Sequence, residues 1–424
     1  MLKWRRLVGY ILIVLFLTGI ESAVLAKTTV TWWTLGPREG AEEIKQVYEK
    51  KNPDVTVEAL ILPSWDDLWK KLMVAVAGGV TPDVVRGKDY WVVDLASRKA
   101  LLPLDDVIEK NKKEILGMPP ERIYTRRIYD LYTYQGRIYA LPFHNFWPVL
   151  VYNENLFKEA GLRRAPRTFE EFREFGIKLT KPEKKQWGTM LYTYTRLEPT
   201  LVLWSFYVYS LQNKAILVKV AKETGEPTFL LDAPESVNTL QWIVDSIYRY
   251  KFCTPPEALS PNMIENEKVA MWITGQFSFG GYDRTMPPNV KWAVAPIPVN
   301  IDKGIFTEGN ALFIPAGTKN KEAAIEFAKF ASGKEADLIW SKWSGTMPFR
   351  DSNWAKPPYS NTPRYVVSAN EMKTYKLVFP QYFPGYTEVM SKVAESLQAA
   401  FYNKMSPLDA MKKAQTDAVS MVKK

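Results

Sequence analysis

The sequence predicts an α/β protein of two or three domains built on open, mostly parallel sheets, and three observations predict it. The chain has 424 residues, too many for one ordinary domain, and its 46% hydrophobic content is that of a globular protein with a full core. From Thr28 onward, extended apolar runs alternate with helical stripes in the order strand, helix, strand, helix, strand. Finally, Gly136 to Gly161 (GRIYALPFHNFWPVLVYNENLFKEAG) reads as an extended run, a break, a second extended run and a helix.

Residues 1–26 stand apart. Lys3, Arg5 and Arg6 precede an apolar run from Leu7 to Ile20 and a small-residue site at Val24-Leu25-Ala26, which predicts a secretory signal and a mature chain starting near Lys27. The run is short for a membrane span, and no later stretch approaches the about 20 residues a span needs. Arg5-Arg6 lacks persuasive twin-arginine flanks, which favours ordinary secretion. The one cysteine, Cys253, excludes a disulfide within the chain, and none stands near the cleavage site to take a lipid. An exported chain without an anchor fits a periplasm. The formal charge of +10 is spread along the chain rather than gathered in a run, which argues against a nucleic-acid surface.

The mature chain then follows in order. Thr28 to Thr34 alternates around Val30 and Trp32 as a strand, and a helix from Glu42 to Tyr48 halts at Asn52-Pro53. Val55 to Leu62 is the next strand; Ser64-Trp65-Asp66-Asp67 has the form of a capping box, and Gly78-Gly79 stops the helix it opens. Pro82 to Val85 is a third strand, leading into a helix through Val92, Leu95 and Ala96. In such a sheet, ligands sit beyond the carboxyl ends of the strands. Those ends carry Trp32 and Trp33, then Ser64 and Trp65, then Lys88, Asp89 and Trp91. Strand alternation sends one of Trp32 and Trp33 to the core and leaves the other for the rim.

Ile138 to Leu141 is extended, and Pro142, which removes a ladder donor, is expected to end it. Val149 to Tyr152 is a second extended run, Asn153 caps a helix through Leu156, Phe157 and Ala160, and Gly161 ends it. Between them Phe143, His144, Asn145, Phe146 and Trp147 suit an inter-domain connection beside a ligand cleft; a strand-loop-strand packing its rings into a core fits the same residues equally. Beyond it come a helix opened by Thr168, a strand from Trp187 to Leu191, and helices from Thr200 to Leu211 and Ala233 to Tyr250. An extended run from Asn266 to Gly275 precedes the paired glycines Gly280-Gly281, which allow close approach to a ligand or strand. Strands at Lys291 to Pro298 and Thr307 to Pro315, where the chain crosses back, precede helices through Ala323 to Ala328, Glu388 to Phe401 and Pro407 to Val422.

Catalytic candidates are few. A single histidine, His144, excludes a His-rich metal site, and Cys253 has no partner for nucleophilic work. No Gly-x-Ser-x-Gly elbow, phosphate-cradling loop or dinucleotide glycine fingerprint occurs, so neither cofactor nor metal is expected. A glycosidase, which needs only two carboxylates, stays open. Aromatic surface is in excess: 15 Trp, 22 Tyr and 20 Phe, many beside Gly, Asn or Asp. Sugars present flat faces of C–H groups between hydroxyls, and such a site needs stacking rings with amides, carboxylates or guanidinium groups around them. Trp69, Trp187, Trp242 and Trp340 read better as core.

With those residues laid out, the chain resembles extracellular solute-binding proteins of family 1, the receptors of carbohydrate ABC importers. GRIYALPF, VLVYNENLFKEAGL, PRTFEEF, NEKVAMWITG, TEGNALFIPAGTKNKEAAIEFAKFAS and SGTMPFRDS carry the resemblance, in that order across nearly all of the mature chain. It implies a two-lobed type II periplasmic binding protein fold, each lobe a mixed sheet flanked by helices, joined by two or three hinge segments and closing over its ligand. It implies residues 27–143 with 297–349 as the first lobe and 144–296 with 350–424 as the second. Carried over by motif, Trp33, Trp65, Asp66, Asp89, Asn145, Trp147, Tyr282, Asp283, Glu308, Asn310 and Arg350 would line the site, with Trp91, Tyr192, Tyr194 and Trp204 as further walls. Glu308 stands where relatives often have a glycine, and reads as a hydroxyl acceptor or a surface charge. The implied partners are a carbohydrate and the permease subunits of an importer, with the receptor a monomer. A receptor for a non-sugar such as a phosphodiester or polyamine, with a polar cleft lacking stacked rings, and a secreted glycosidase are the rivals.

Overall fold

The computed structural model describes residues 27–111, 128–192, 199–221 and 223–422. The expected signal segment and Tyr194 lie outside the described residues.

Strand β1 (Thr28–Leu35) forms because alternate residues Val30, Trp32 and Thr34 can all be buried on one face. Helix α1 (Arg38–Lys51) buries Ala41, Ile44 and Tyr48 and stops at Asn52, and β2 (Val55–Leu62) returns parallel to β1, from Thr28 opposite Val55 to Leu35 opposite Leu62. The Ser64 hydroxyl accepts the Asp67 amide at 3.1 Å to start α2 (Trp65–Gly78), and Gly79 ends it at φ +68°. Strand β3 (Val84–Lys88) lies on the other side of β1, with Trp32 opposite Val84, and runs directly into α3 (Asp89–Ser97). The expected strand-helix alternation is therefore present, with parallel pairing.

After α4 (Asp105–Lys110) and the short hairpin of β4 (Thr133–Tyr134) and β5 (Arg137–Ile138) comes β6 (Ala140–Phe146). Pro142 does not end this strand, as its missing donor led us to expect. It sits opposite Ala311 where the register of the partner strand shifts, a bulge that tolerates the lost N–H, and its carbonyl accepts the Ser332 hydroxyl at 2.6 Å. His144, Asn145 and Phe146 are thus strand residues rather than a loop. Trp147 alone separates β6 from β7 (Pro148–Asn153), which belongs to another sheet. Asn153 caps α5 (Glu154–Glu159) and Thr168 caps α6 (Phe169–Leu179). Between α6 and α7 (Pro199–Gln212), Trp187 and Thr189 make isolated bridges to Val269 and Cys253 rather than the expected strand.

The pair β8 (Val218–Val220) and β9 (Pro227–Phe229) leads to α8 (Pro234–Tyr248), then β10 (Met271–Gly275), shorter than the extended run expected from Asn266. Gly280 and Gly281 fall inside α9 (Phe279–Thr285), and β11 (Trp292–Ala295) completes an antiparallel sheet in the order β10-β7-β11. Residues 297–306, which the resemblance assigns to the first lobe, are tied to the second sheet's surroundings. Val299 pairs with Thr168, Ile301 and Asp302 donate to the Gln212 carbonyl, and β12 (Gly304–Phe306) pairs with a later strand. Thr307 alone separates β12 from β13 (Glu308–Phe313), which inserts antiparallel between β3 and β6. The first sheet is therefore β2-β1-β3-β13-β6. Helices α10 (Lys321–Ala331) and α11 (Lys334–Ser344) pack on it and on α1. The chain then crosses to α12 (Pro363–Thr374) against β11, to β14 (Lys376–Val378) beside β12, and to α13 (Tyr386–Phe401) and α14 (Pro407–Val422), which pack on α7 and α8. Two bodies, each a sheet flanked by helices, are joined at Trp147, at Thr307 and after Ser344. Among the described residues no helix is long and apolar enough to cross a membrane.

Candidate ligand-binding cleft

Strand direction brings the site together. The parallel strands β1, β2 and β3 end at one rim with Leu35, Pro63-Ser64-Trp65 and Arg86 to Tyr90. Because β13 is antiparallel to β3, its first residues Glu308, Gly309 and Asn310 reach the same rim, and the end of β6 brings His144 and Phe146. The last turn of α11 adds Trp340, Trp343 and Ser344, followed by Thr346. The second body contributes Leu201 and Trp204 from α7, Phe277, and Arg284 from α9. Together they enclose a cleft of about 710 Å³. Behind Tyr90, Trp204 and Glu308 it continues into a small hollow walled by Tyr207, Phe306 and Tyr386.

The floor is polar and largely satisfied. Arg86 Nη2 donates to Asn310 Oδ1 at 2.6 Å, and Asn310 Nδ2 to the Gly309 carbonyl at 2.9 Å. His144 Nε2 lies 2.9 Å from the Thr346 hydroxyl, which meets Ser344 at 2.7 Å. Asp89 accepts the Gly309 and Tyr90 amides, each at 2.9 Å, one on each oxygen. A side chain at Gly309 would place its Cβ 2.0 Å from the His144 carbonyl, so only glycine lets β6 and β13 approach here. Burial pushes the Asp89 carboxyl up to about 6, against the Gly309 bond and the Lys88 charge. Burial and then the Arg86 charge pull His144 down to about 3, leaving a neutral imidazole. Burial pulls Arg86 to about 9, still cationic at neutral pH. The walls are rings: Trp65 stands edge-on to Trp91 at 5.9 Å, and Phe146 meets Phe277 across the crossing at 4.9 Å, with Trp204 6.2 Å beyond. Flat apolar faces above hydrogen-bonding groups suit a polyhydroxylated ring.

Of the fourteen described residues expected at the site, Trp65, Asp89, Trp204, Glu308 and Asn310 line the cleft. The other nine do not. Trp33 lies on the far face of β1 under the Lys71 ammonium, 4.8 Å away, while Trp32 is in the core. Asp66 points to solvent beside Lys70 at 3.7 Å, and Trp91 backs Trp65 instead of facing the cleft. Asn145 is fully buried between strands, with neither amide atom partnered among the described residues. Trp147 is a core residue at the crossing: its Nε1 donates to the Ser368 carbonyl at 3.2 Å and its ring packs on Trp354. Tyr192 stands behind Trp204, and Tyr282 packs on Trp272 and Trp292. Asp283 is paired with Arg364 at 2.7 Å. Arg350 is buried in the first body, donating to the Ser332 carbonyl. Sequence reading missed Arg86, His144, Phe277, Arg284 and Trp343, and placed Trp340 in the core alone. A charged residue straight after Val84-Val85 was the available signal for Arg86, since a buried strand seldom carries one.

Two α/β bodies joined by three crossings, with rings and hydrogen-bonding groups from both facing one cleft, define a two-lobed binding protein of the type II periplasmic fold. The chain belongs to the bacterial extracellular solute-binding protein family, whose profile matches residues 34–382. It is similar to a binding protein of Brucella abortus, 23% identical over 428 residues that cover 100% of this chain and 99% of that one. It is also similar to a maltotriose-binding protein of Pyrococcus abyssi, 24% identical over 310 residues, 71% of this chain and 61% of that one. Among solved structures, an ABC substrate-binding protein from Listeria monocytogenes in complex with cycloalternan superposes with a TM-score of 0.81 at 23% identity, over 94% of this chain and 99% of that chain.

Proposed function

We propose that this protein is the receptor of an ABC importer, exported to the periplasm after cleavage near Ala26, and that it captures a sugar or oligosaccharide between its lobes. The observation that carries this reading is the convergence of Trp65, Trp340 and Trp343 from one body with Trp204 and Phe277 from the other on a single cleft with a hydrogen-bonding floor. The maltotriose and cycloalternan named for its relatives are of the same ligand class. The lobes meet at Trp147, at Thr307 and in the segment after Ser344. A ligand touching both favours the closed form by whatever affinity it has beyond the open one, and the permease reads closure of a monomeric receptor. We read the cleft as one that binds rather than catalyses. Among the described residues its carboxylates are Asp89 and Glu308, and both Asp89 oxygens already accept backbone amides, so these residues do not assemble the paired acid and nucleophile of a glycosidase.

Titration of intrinsic tryptophan fluorescence with glucose-, mannose- and xylose-based oligosaccharides tests this. We expect a saturable response to one series, weakened about 10-fold or more by Trp204→Ala through lost stacking area. A response to peptides or phosphodiesters, with none to any sugar, would overturn the ligand class.

A further inference from the structure

The cleft contains a cation that no described carboxylate neutralises. Arg86 is 4% exposed yet lines the cleft, and no described carboxylate forms an ion pair with it. Its bonds go to the carbonyls of Leu35 at 3.0 Å and Gly36 at 3.4 Å and to Asn310 at 2.6 Å. Those use three of the five N–H groups of a guanidinium, and Nε has no acceptor among the described residues. Rings of Trp65, Phe143 and Trp340, 5.2, 5.1 and 4.2 Å from its central carbon, surround it and keep the site in low dielectric. A second guanidinium, Arg284, faces the same cleft from the opposite body; it is exposed and makes no hydrogen bond or ion pair with the described residues. Its neighbour Asp283 is already held by Arg364. Among the described residues that line the cleft, the cations Arg86, Lys88 and Arg284 outnumber the carboxylates Asp89 and Glu308; the Lys88 ammonium lies over Trp65 and acts on Asp89, which is engaged by backbone amides.

A buried charge without a counter-ion is costly, and a cleft lined by an excess of one sign concentrates ligands of the other. Building on the sugar-receptor reading, we infer that the ligand is an acidic saccharide, a sugar bearing a carboxylate or phosphate, whose anionic group is received between Arg86 of one lobe and Arg284 of the other. An anion shared by two guanidinium groups on opposite lobes is fully bound only when the lobes come together, so its charge contributes to closure.

Calorimetric titration of the mature chain decides this with matched probes: glucuronate-, galacturonate- and mannuronate-containing disaccharides, their methyl esters, and glucose 6-phosphate against glucose. We expect one acid to bind about 10-fold or more tighter than its neutral counterpart, with the advantage shrinking as salt rises. Arg284→Gln removes most of that advantage at an unchanged melting temperature, because the side chain is exposed, and Arg86→Lys retains more of it than Arg86→Gln. Preference for glucose 6-phosphate assigns the anion to phosphate, and preference for a uronate assigns it to carboxylate. Equal binding of acids and neutral forms, or binding of neutral oligosaccharides alone, overturns the acidic ligand and leaves the sugar receptor standing. Failure of every sugar, charged or neutral, sinks both.

Discussion

Asp89 shows how one residue couples the site to pH. Its carboxyl is buried at the start of α3, with one oxygen on the amide of Gly309 and the other on that of Tyr90, so it fixes the end of β3 against the start of β13. Burial raises its folded pKa from 3.8 to about 6. A carboxyl whose folded pKa exceeds its unfolded one holds its proton longer in the native state, so folding stability falls as pH rises between about 4 and 6 and levels off above. The ceiling of this effect is about 3 kcal/mol. Asp337 and Glu371, also raised by burial, add slope of the same sign, so the measurement is a comparison of variants. Denaturant unfolding across this window is expected to show a flatter pH dependence in Asp89→Asn than in the parent. An unchanged slope would remove Asp89 as its source.

At the scale of elements, the two bodies come into close backbone contact between α9 and the end of α11. A Cβ at Gly280 would sit 2.0 Å from the Ser344 carbonyl, and one at Gly345 would sit 2.5 Å from the Gly280 Cα. Gly345 also has φ +71°, which glycine adopts without strain. Gly280→Ala is therefore expected to hold the bodies apart on this side and to weaken ligand binding about 10-fold, the size of a modest overpacking penalty, with the chain still folded; titration and circular dichroism check the two halves. Elements differ in how far sequence reveals them. Ser64, Asn153 and Thr168 could be read as caps because each accepts an amide three residues on, a purely local arrangement. Helix α11 was missed because Gly333 opens it without a side-chain cap, and with it went Trp343 and the cleft-facing role of Trp340. The passage of β6 through Pro142 depends on a bulge at Asn310 and Ala311, far along the chain, which no local pattern encodes. Sequence left an inter-domain crossing and a core strand-loop-strand equally open for these aromatics; the single-residue link makes the crossing but gives Trp147 no room at the rim and drives its ring into the core.

For the whole molecule, binding and closure leave separable signatures. In the closure proposed above, the bodies turn about three crossings, two of them single residues between paired strands, with Phe146 and Phe277 in contact beside them. Any ligand that binds the folded state alone raises stability, by about 2.7 kcal/mol at a hundredfold excess over its Kd, so a rise in melting temperature by itself says nothing about movement. Closure adds a second signature, since bringing Trp204 and Arg284 toward Trp65 and Arg86 shortens the molecule across the cleft. X-ray scattering with and without saturating ligand is therefore expected to show a smaller radius of gyration in the bound protein, alongside the higher melting temperature. In Gly280→Ala, enough ligand to saturate the weakened site is expected to restore much of the thermal shift but less of the compaction, because the added methyl opposes the approach of α9 to α11 and not the contacts within either rim. Thermal stabilisation with no compaction in the parent protein would mean a rigid binding protein, and would overturn the lobe closure proposed above.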